Sequence, residues 1–154
     1  MKRVVALAAL ALATAAPAAA AAGASASGSG TVLFGNTIEH IAFTAQQLTG
    51  TAATGEATII DASAGVRVHV DVNCLNVIGN YAIVSGIVTQ SSDPTAVAVG
   101  SQAIFAVVDS GQGGGRDFAS IANFYAVGTG VDCSVPSEFD LVPVNGNFRV
   151  EAAA

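Results

Sequence analysis

Two side chains near the middle of the chain have the type and spacing for chemistry. His69 and Asp71 lie two apart in a run that alternates apolar and polar residues. On an extended strand such residues project from one face. An imidazole beside a carboxylate can act as an oriented general base, or the two can ligate a metal ion. Arg67 extends the pair into a polar stripe. A metal site needs a third ligand, and the chain offers only His40 or a distant acid. The plainer reading makes Arg67, His69 and Asp71 the solvent face of a half-buried strand. On that reading no metal and no cofactor is expected. A cysteine–histidine dyad is the other nucleophile to weigh. His69 and Cys74 are five apart, which in a regular strand sends them to opposite faces.

The most polar loop is 109–117, which runs Asp-Ser-Gly-Gln-Gly-Gly-Gly-Arg-Asp. Its terminal carboxylates, Asp109 and Asp117, have the chemistry to wrap a calcium ion. The loop occurs once, however, and does not match the calcium-binding nonapeptide repeat. It carries no lysine and no following helix, so it also fails the phosphate-cradling patterns. A flexible connection between strands is the simpler expectation. There is no G-x-S-x-G, S-x-x-K or H-E-x-x-H motif. The only lysine is Lys2, which closes Schiff-base and Ser–Lys chemistry to the mature chain. Paired carboxylates for glycoside hydrolysis form a tertiary arrangement that no motif carries. The chain has no tryptophan and only two tyrosines to stack a sugar.

The elements that position these residues read as strands. In 66–74 the residues Val66, Val68, Val70, Val72 and Cys74 alternate with Arg67, His69, Asp71 and Asn73. Gly79 and Asn80 then form a two-residue hairpin signal before a return strand over 81–90. A two-residue turn pairs positions whose numbers sum to 159, so Val72 faces Ile87, Cys74 faces Ser85, Asp71 faces Val88 and His69 faces Gln90. The odd-numbered face turns apolar at Leu75 and Val77, which implies a bulge or an outer face covered by another element. Further strands are expected at 31–34, 38–48, 57–60, 103–109, 118–127 and 146–151. Ile41, Phe43 and Ala45 share one phase of the second of these, and His40, Thr44 and Gln46 the other.

Composition agrees. Residues 27–154 contain 27 Val and Ile against four Leu and Met, and β-branched residues favour a pleated sheet over a helix. The expected fold is all-β, an antiparallel sandwich or small up-and-down barrel of about seven or eight strands. The first 26 residues stand apart. They hold 14 alanines, the pair Lys2 and Arg3, a short apolar core and small-residue cleavage sites at 18–20 and 24–26. That is the make-up of a secretory signal peptide. We therefore read 1–26 as a signal peptide cleaved near 20–26, 27–30 as a flexible lead-in, and 31–154 as one domain. No transmembrane segment is expected in the mature chain.

Without residues 1–26 the chain has three arginines against eleven acids, a formal charge of −8. It lacks the basic footprint of a nucleic-acid binder or of a polybasic membrane-surface protein. Export leads to an oxidising compartment, where Cys74 and Cys133 have one internal pairing open to them.

The segment Cys74-Leu75-Asn76-Val77-Ile78-Gly79-Asn80-Tyr81-Ala82, followed by Gly86-Ile87-Val88-Thr89, is similar to a C-L-x-V-x-G-N-x-A…G-x-V-T pattern of small secreted proteins from high-GC bacteria. Val107-Val108-Asp109-Ser110-Gly111, Asp132-Cys133 and Gly146-Asn147-Phe148-Arg149-Val150 resemble the same group, with Ser110 where an Asn would complete a D-N-G turn. The resemblance covers most of 31–151 and implies export, a β fold and the Cys74–Cys133 pairing. It implies no activity, because its motifs belong to turns and strands. The functional expectation is a secreted, non-catalytic binding or surface-interaction module. Its partner would be a protein, the cell envelope or a small molecule. The alternatives are a carrier with an apolar barrel cavity lined by Phe43, Phe105, Phe124 or Phe148, and an enzyme using His69 and Asp71.

Overall fold

A computed structural model describes residues 22–113, 115–131, 133–134 and 138–154 of the chain. Ten strands are present among the described residues: β1 (Ser25–Phe34), β2 (Thr37–Thr49), β3 (Ala52–Asp61), β4 (Val66–Ile78), β5 (Tyr81–Ser91), β6 (Gln102–Val108), β7 (Phe118–Ala119), β8 (Asn123–Tyr125), β9 (Val142–Pro143) and β10 (Asn145–Glu151). They form one antiparallel sheet in the order β10-β1-β2-β3-β4-β5-β6-β7-β9, with β8 also on β6. Because β9 passes through Val144 straight into β10, the two ends of that order meet. The all-β expectation holds, and the sheet is a nearly closed barrel.

The flexible lead-in expected over 27–30 is corrected, because that stretch is strand. Residues 1–21 of the expected signal peptide lie outside the described residues, but Ser25 and Ala26 belong to β1. So do Ser27, Gly28, Ser29 and Gly30, read above as a flexible lead-in. β1 pairs with β2 on one side and β10 on the other along this whole stretch. Its small residues make space rather than slack. A Cβ on Gly28 would stand 2.3 Å from the Asn147 carbonyl oxygen and 2.8 Å from Phe148 Cα, at a φ of +142°. Glycine there lets the Phe148 ring lie against the strand.

The strand count exceeds the expected seven or eight for two reasons. β9 was not anticipated, and the strand expected over 118–127 is broken into β7 and β8. Between them one backbone bond remains, from the Ser120 amide to the Ala106 carbonyl at 3.0 Å, and side chains supply the rest. The Ala106 amide donates to Ser120 Oγ at 3.0 Å, and the Ala122 amide donates to Glu39 Oε1 at 2.7 Å.

The β4–β5 hairpin follows the expected register near its turn, from Ile78↔Tyr81 to Cys74↔Ser85. It then departs, with Val72 opposite Gly86 and Asp71 opposite Ile87 rather than Ile87 and Val88. An irregularity between Val72 and Cys74 inserts Asn73, and a second between His69 and Val70 restores His69↔Gln90. The first insertion exchanges the faces. Val66, Val68, Val70 and Val72 are buried in the barrel, and beyond the bulge so is Leu75. Cys74, expected on the core face, packs instead in a second apolar cluster with Ile83, Ile104, Tyr81 and Phe139.

That outer cluster carries the disulfide. Cys74 and Cys133 are joined with a Cα–Cα distance of 6.0 Å. Asn76 Nδ2 donates to the Cys133 carbonyl at 3.0 Å. The Gln102 side chain pairs with the backbone of Val131, receiving its amide on Oε1 at 2.7 Å and donating to its carbonyl. Val131 and Cys133 are thereby strapped across β4, β5 and β6.

Phenylalanine rings fill the middle of the barrel. Phe43 meets Phe105 edge-on at 5.1 Å between ring centroids and Phe148 at 5.9 Å. Such contacts add about 0.5–1.5 kcal/mol each beyond the area they bury.

Candidate functional site

The inward phase of β2 runs Ile41, Phe43, Ala45, and one step earlier it reaches Glu39. This acid is 3% exposed. Across the β2–β3 ladder it is paired with Asp61, the last residue of β3. Both lie at one mouth of the barrel, where β2 and β4 begin and β3 and β5 end. A pocket of about 310 Å³ opens there, near the lower end of the roughly 300–1,000 Å³ that small-molecule sites occupy. Ile59, Val66 and Val68 form its inner wall, Ile121, Ala122 and Phe124 one side, and Ala96, Val97 and Ala64 its rim. Thr37, Glu39 and Asp61 supply its polar groups.

Each wall has a local cause. Val97 is placed by a turn in which the Asp93 carboxylate accepts from the Thr95 hydroxyl at 2.6 Å and the Thr95 amide at 3.0 Å. Those bonds hold the Asp93 carboxyl below its usual range. Ala64 is placed by Asp61 Oδ1, which accepts the Ser63 and Ala64 amides at 2.8 and 2.9 Å. The Ile121–Ala122 wall exists because the Ala122 amide is drawn to Glu39.

Glu39 is consequently half satisfied. Oε1 takes the Ala122 amide, and Oε2 accepts no hydrogen bond from any described residue. Burial pushes the Glu39 carboxyl up to about 7, the Ala122 amide pulls it down by less, and the Asp61 charge adds to the rise. Near neutral pH this group presents either an O–H donor or an anionic acceptor to whatever enters the pocket.

The residues singled out from the sequence lie elsewhere. Arg67 and Asp71 are exposed on the outside of β4, with His69 half-buried between them. His69 Nε2 is 3.6 Å from Glu56 Oε2, and its Nδ1 is 3.4 Å from Thr58 Oγ1. Thr58, Arg67, His69, Gln90 and Ser92 border a shallow outer groove. After the bulge Cys74 also faces outward, so the expected opposition of His69 and Cys74 is corrected; Cys74 is committed to the disulfide. His40, weighed as a third ligand, meets Thr31 Oγ1 at 2.8 Å through Nδ1. Among the described residues no three His, Cys, Asp or Glu side chains converge.

Asp109 and Asp117 sit at the opposite end of the barrel and close it. Asp117 is buried. Its Oδ1 accepts the Ser110 amide at 2.9 Å and its Oδ2 the Phe148 amide at 2.6 Å. Asp109 accepts the Gly111 amide at 2.7 Å on Oδ1 and the Val150 amide at 3.0 Å on Oδ2. All four oxygens are engaged by backbone, and two of the bonds tie β10 to the region between β6 and β7. Gly114 of this loop lies outside the described residues.

Sequence reading missed Glu39 and Asp61, yet a signal was present. Extending the Ile41–Phe43–Ala45 phase backwards places an acid on the buried face, and a buried acid is a candidate site. Of the four rings named for an apolar cavity, Phe43, Phe105 and Phe148 pack on one another and only Phe124 lines the mouth. The chain matches no family model, no curated protein and no solved structure.

Proposed function

We propose that this chain is a secreted, non-catalytic binding module whose ligand site is the mouth of its barrel. The observation that carries the reading is Glu39, a nearly fully buried carboxyl with one unpartnered oxygen at the base of a pocket with apolar walls. Oε2 keeps access to the pocket, where a donor on a ligand can reach it. The aromatic packing in the middle of the barrel limits the ligand to the mouth, so a carrier with a deep apolar cavity is the weaker reading. An enzyme reading is weaker still. Asp61 Oδ1 already serves two backbone amides, and aliphatic walls suit an apolar guest better than a sugar.

Export follows from the N-terminal segment, with cleavage after the 18–20 site. Cleavage after Ala26 would remove Ser25 and Ala26, which pair with Gln46 and Ala45 of β2. The reading is tested by titrating neutral apolar fragments into the isotopically labelled secreted protein and following its amide resonances. The expected shifts cluster on Val66, Val97, Ala122 and Phe124, and they vanish in Ala64→Trp, which plugs the rim. Shifts confined to the outer groove of Thr58, Arg67 and Gln90, or absent altogether, would refute it.

A further inference from the structure

We propose that the barrel mouth selects a small organic amine, an apolar body of about one ring whose ammonium group pairs with Glu39. This inference rests on the mouth being the binding site and adds the chemistry of its ligand. Three observations lead to it.

The first is the demand for a donor. Glu39 Oε2 has no hydrogen-bond partner among the described residues and is open to the pocket, so a donor there has to come from a ligand or solvent. The second is that no cation lines the pocket. Its two charged residues, Glu39 and Asp61, are both acids. The three mature-chain arginines are placed elsewhere: Arg67 on the outside of β4, Arg116 in the connection at the far end, and Arg149 paired with Glu151 at 2.5 Å. The countercharge has to arrive with the ligand. The third is the route in. An acid at the rim and the formal charge of −8 on the chain without residues 1–26 attract cations to the mouth and repel carboxylates and phosphates. Ile59, Val66, Val97 and Phe124 then receive the apolar body, and the volume of about 310 Å³ keeps it small. Among the described residues that line the pocket, Asp61 on β3 is the one other titratable group, and the Asp93 carboxylate of the 92–101 loop is turned to the Thr95 and Ala96 amides. β4, the 92–101 loop and the 121–124 wall present Val66, Val68, Ala96, Val97, Ile121, Ala122 and Phe124.

The test uses three probes of one shape, benzylamine, benzyl alcohol and benzoate, followed by amide shifts in the intact secreted protein. At pH 8 the amine should bind about tenfold more tightly than the alcohol, since a charge-assisted hydrogen bond is roughly twice as strong as a neutral one. Benzoate should not bind. At pH 5.5, where Glu39 is protonated, the preference should disappear, as it should in Glu39→Gln at either pH. Equal binding of amine and alcohol at pH 8 would overturn the amine inference and leave the binding site standing. Tighter binding of benzoate would do the same. No pocket shift with any probe would overturn both. Should Glu39→Gln fail to fold, the pH series on the unmodified chain decides, and a preference unchanged between pH 5.5 and 8 refutes the pairing.

Discussion

Stability should fall as pH rises from about 4.5 to 8, and a single buried acid accounts for that fall. Glu39 titrates near its ordinary 4.5 when the chain is unfolded and at about 7 when it is folded. Between those values the folded state holds a proton that the unfolded state has released. The free energy of unfolding therefore decreases with pH across this window. Below it both states are protonated and the contribution is constant; above it the loss is complete. The displacement corresponds to about 3 kcal/mol, at about 1.4 kcal/mol per pH unit. Glu39→Gln isolates the effect, because an amide oxygen still accepts from Ala122 but cannot ionise. Urea unfolding of both proteins, disulfide intact, at half-unit intervals from pH 4 to 8 gives two curves. Their difference removes every other titrating group. The variant should match the native chain near pH 4 and exceed it by about 3 kcal/mol at pH 8. A difference that stays flat over this range would show that Glu39 is neither buried nor perturbed as described.

Four further outcomes are expected. Replacing Cys74 and Cys133 together by alanine should cost about 4 kcal/mol in urea unfolding, the chain-entropy value for a closed loop of 59 residues. Asp117→Ala should cost about 2–3 kcal/mol, because it strips acceptors from the Ser110 and Phe148 amides; hydrogen exchange should speed up at Phe148 first. Gly28→Ala should destabilise by about 2–3 kcal/mol or prevent folding, since its methyl would collide with backbone at 2.3 Å; circular dichroism melting reads this directly. Alanine at Arg67, His69 and Asp71 together should change stability by under about 1 kcal/mol and leave fragment binding at the mouth intact, as judged by the same amide shifts.

What the sequence made legible was local. Gly79 and Asn80 set the β4–β5 turn, and the apolar switch at Leu75 announced the bulge at Asn73. The disulfide followed from there being two cysteines. What stayed hidden depended on distant partners. Ser27–Gly30 looks like a linker until Phe148, far along the chain, lies against it. The alternation over 118–127 could not reveal that Glu39 takes the Ala122 amide 83 residues away. Asp109 and Asp117 looked like ion ligands because the amides they serve, at Val150 and Phe148, are 41 and 31 residues away. Glu39 was the exception. Its place in the β2 phase was visible, because the alternation that buries Ile41 and Phe43 also buries the residue two before Ile41.

The carboxylates of Asp109 and Asp117 have a consequence for solubility. An open sheet has two edges, and each offers unpaired amides on which another chain can add a strand. Here one side of β10 pairs with β1, and the Phe148 and Val150 amides on its other side end on acids rather than on solvent. A sheet rich in Val, Ile and Thr, with few charges, is the kind that extends readily from chain to chain. The two aspartates remove the template along this side of β10, so they act as guards against polymerisation as much as supports of the fold. Variants lacking both should show this as concentration-dependent growth of particles in light scattering, before any loss of strand content.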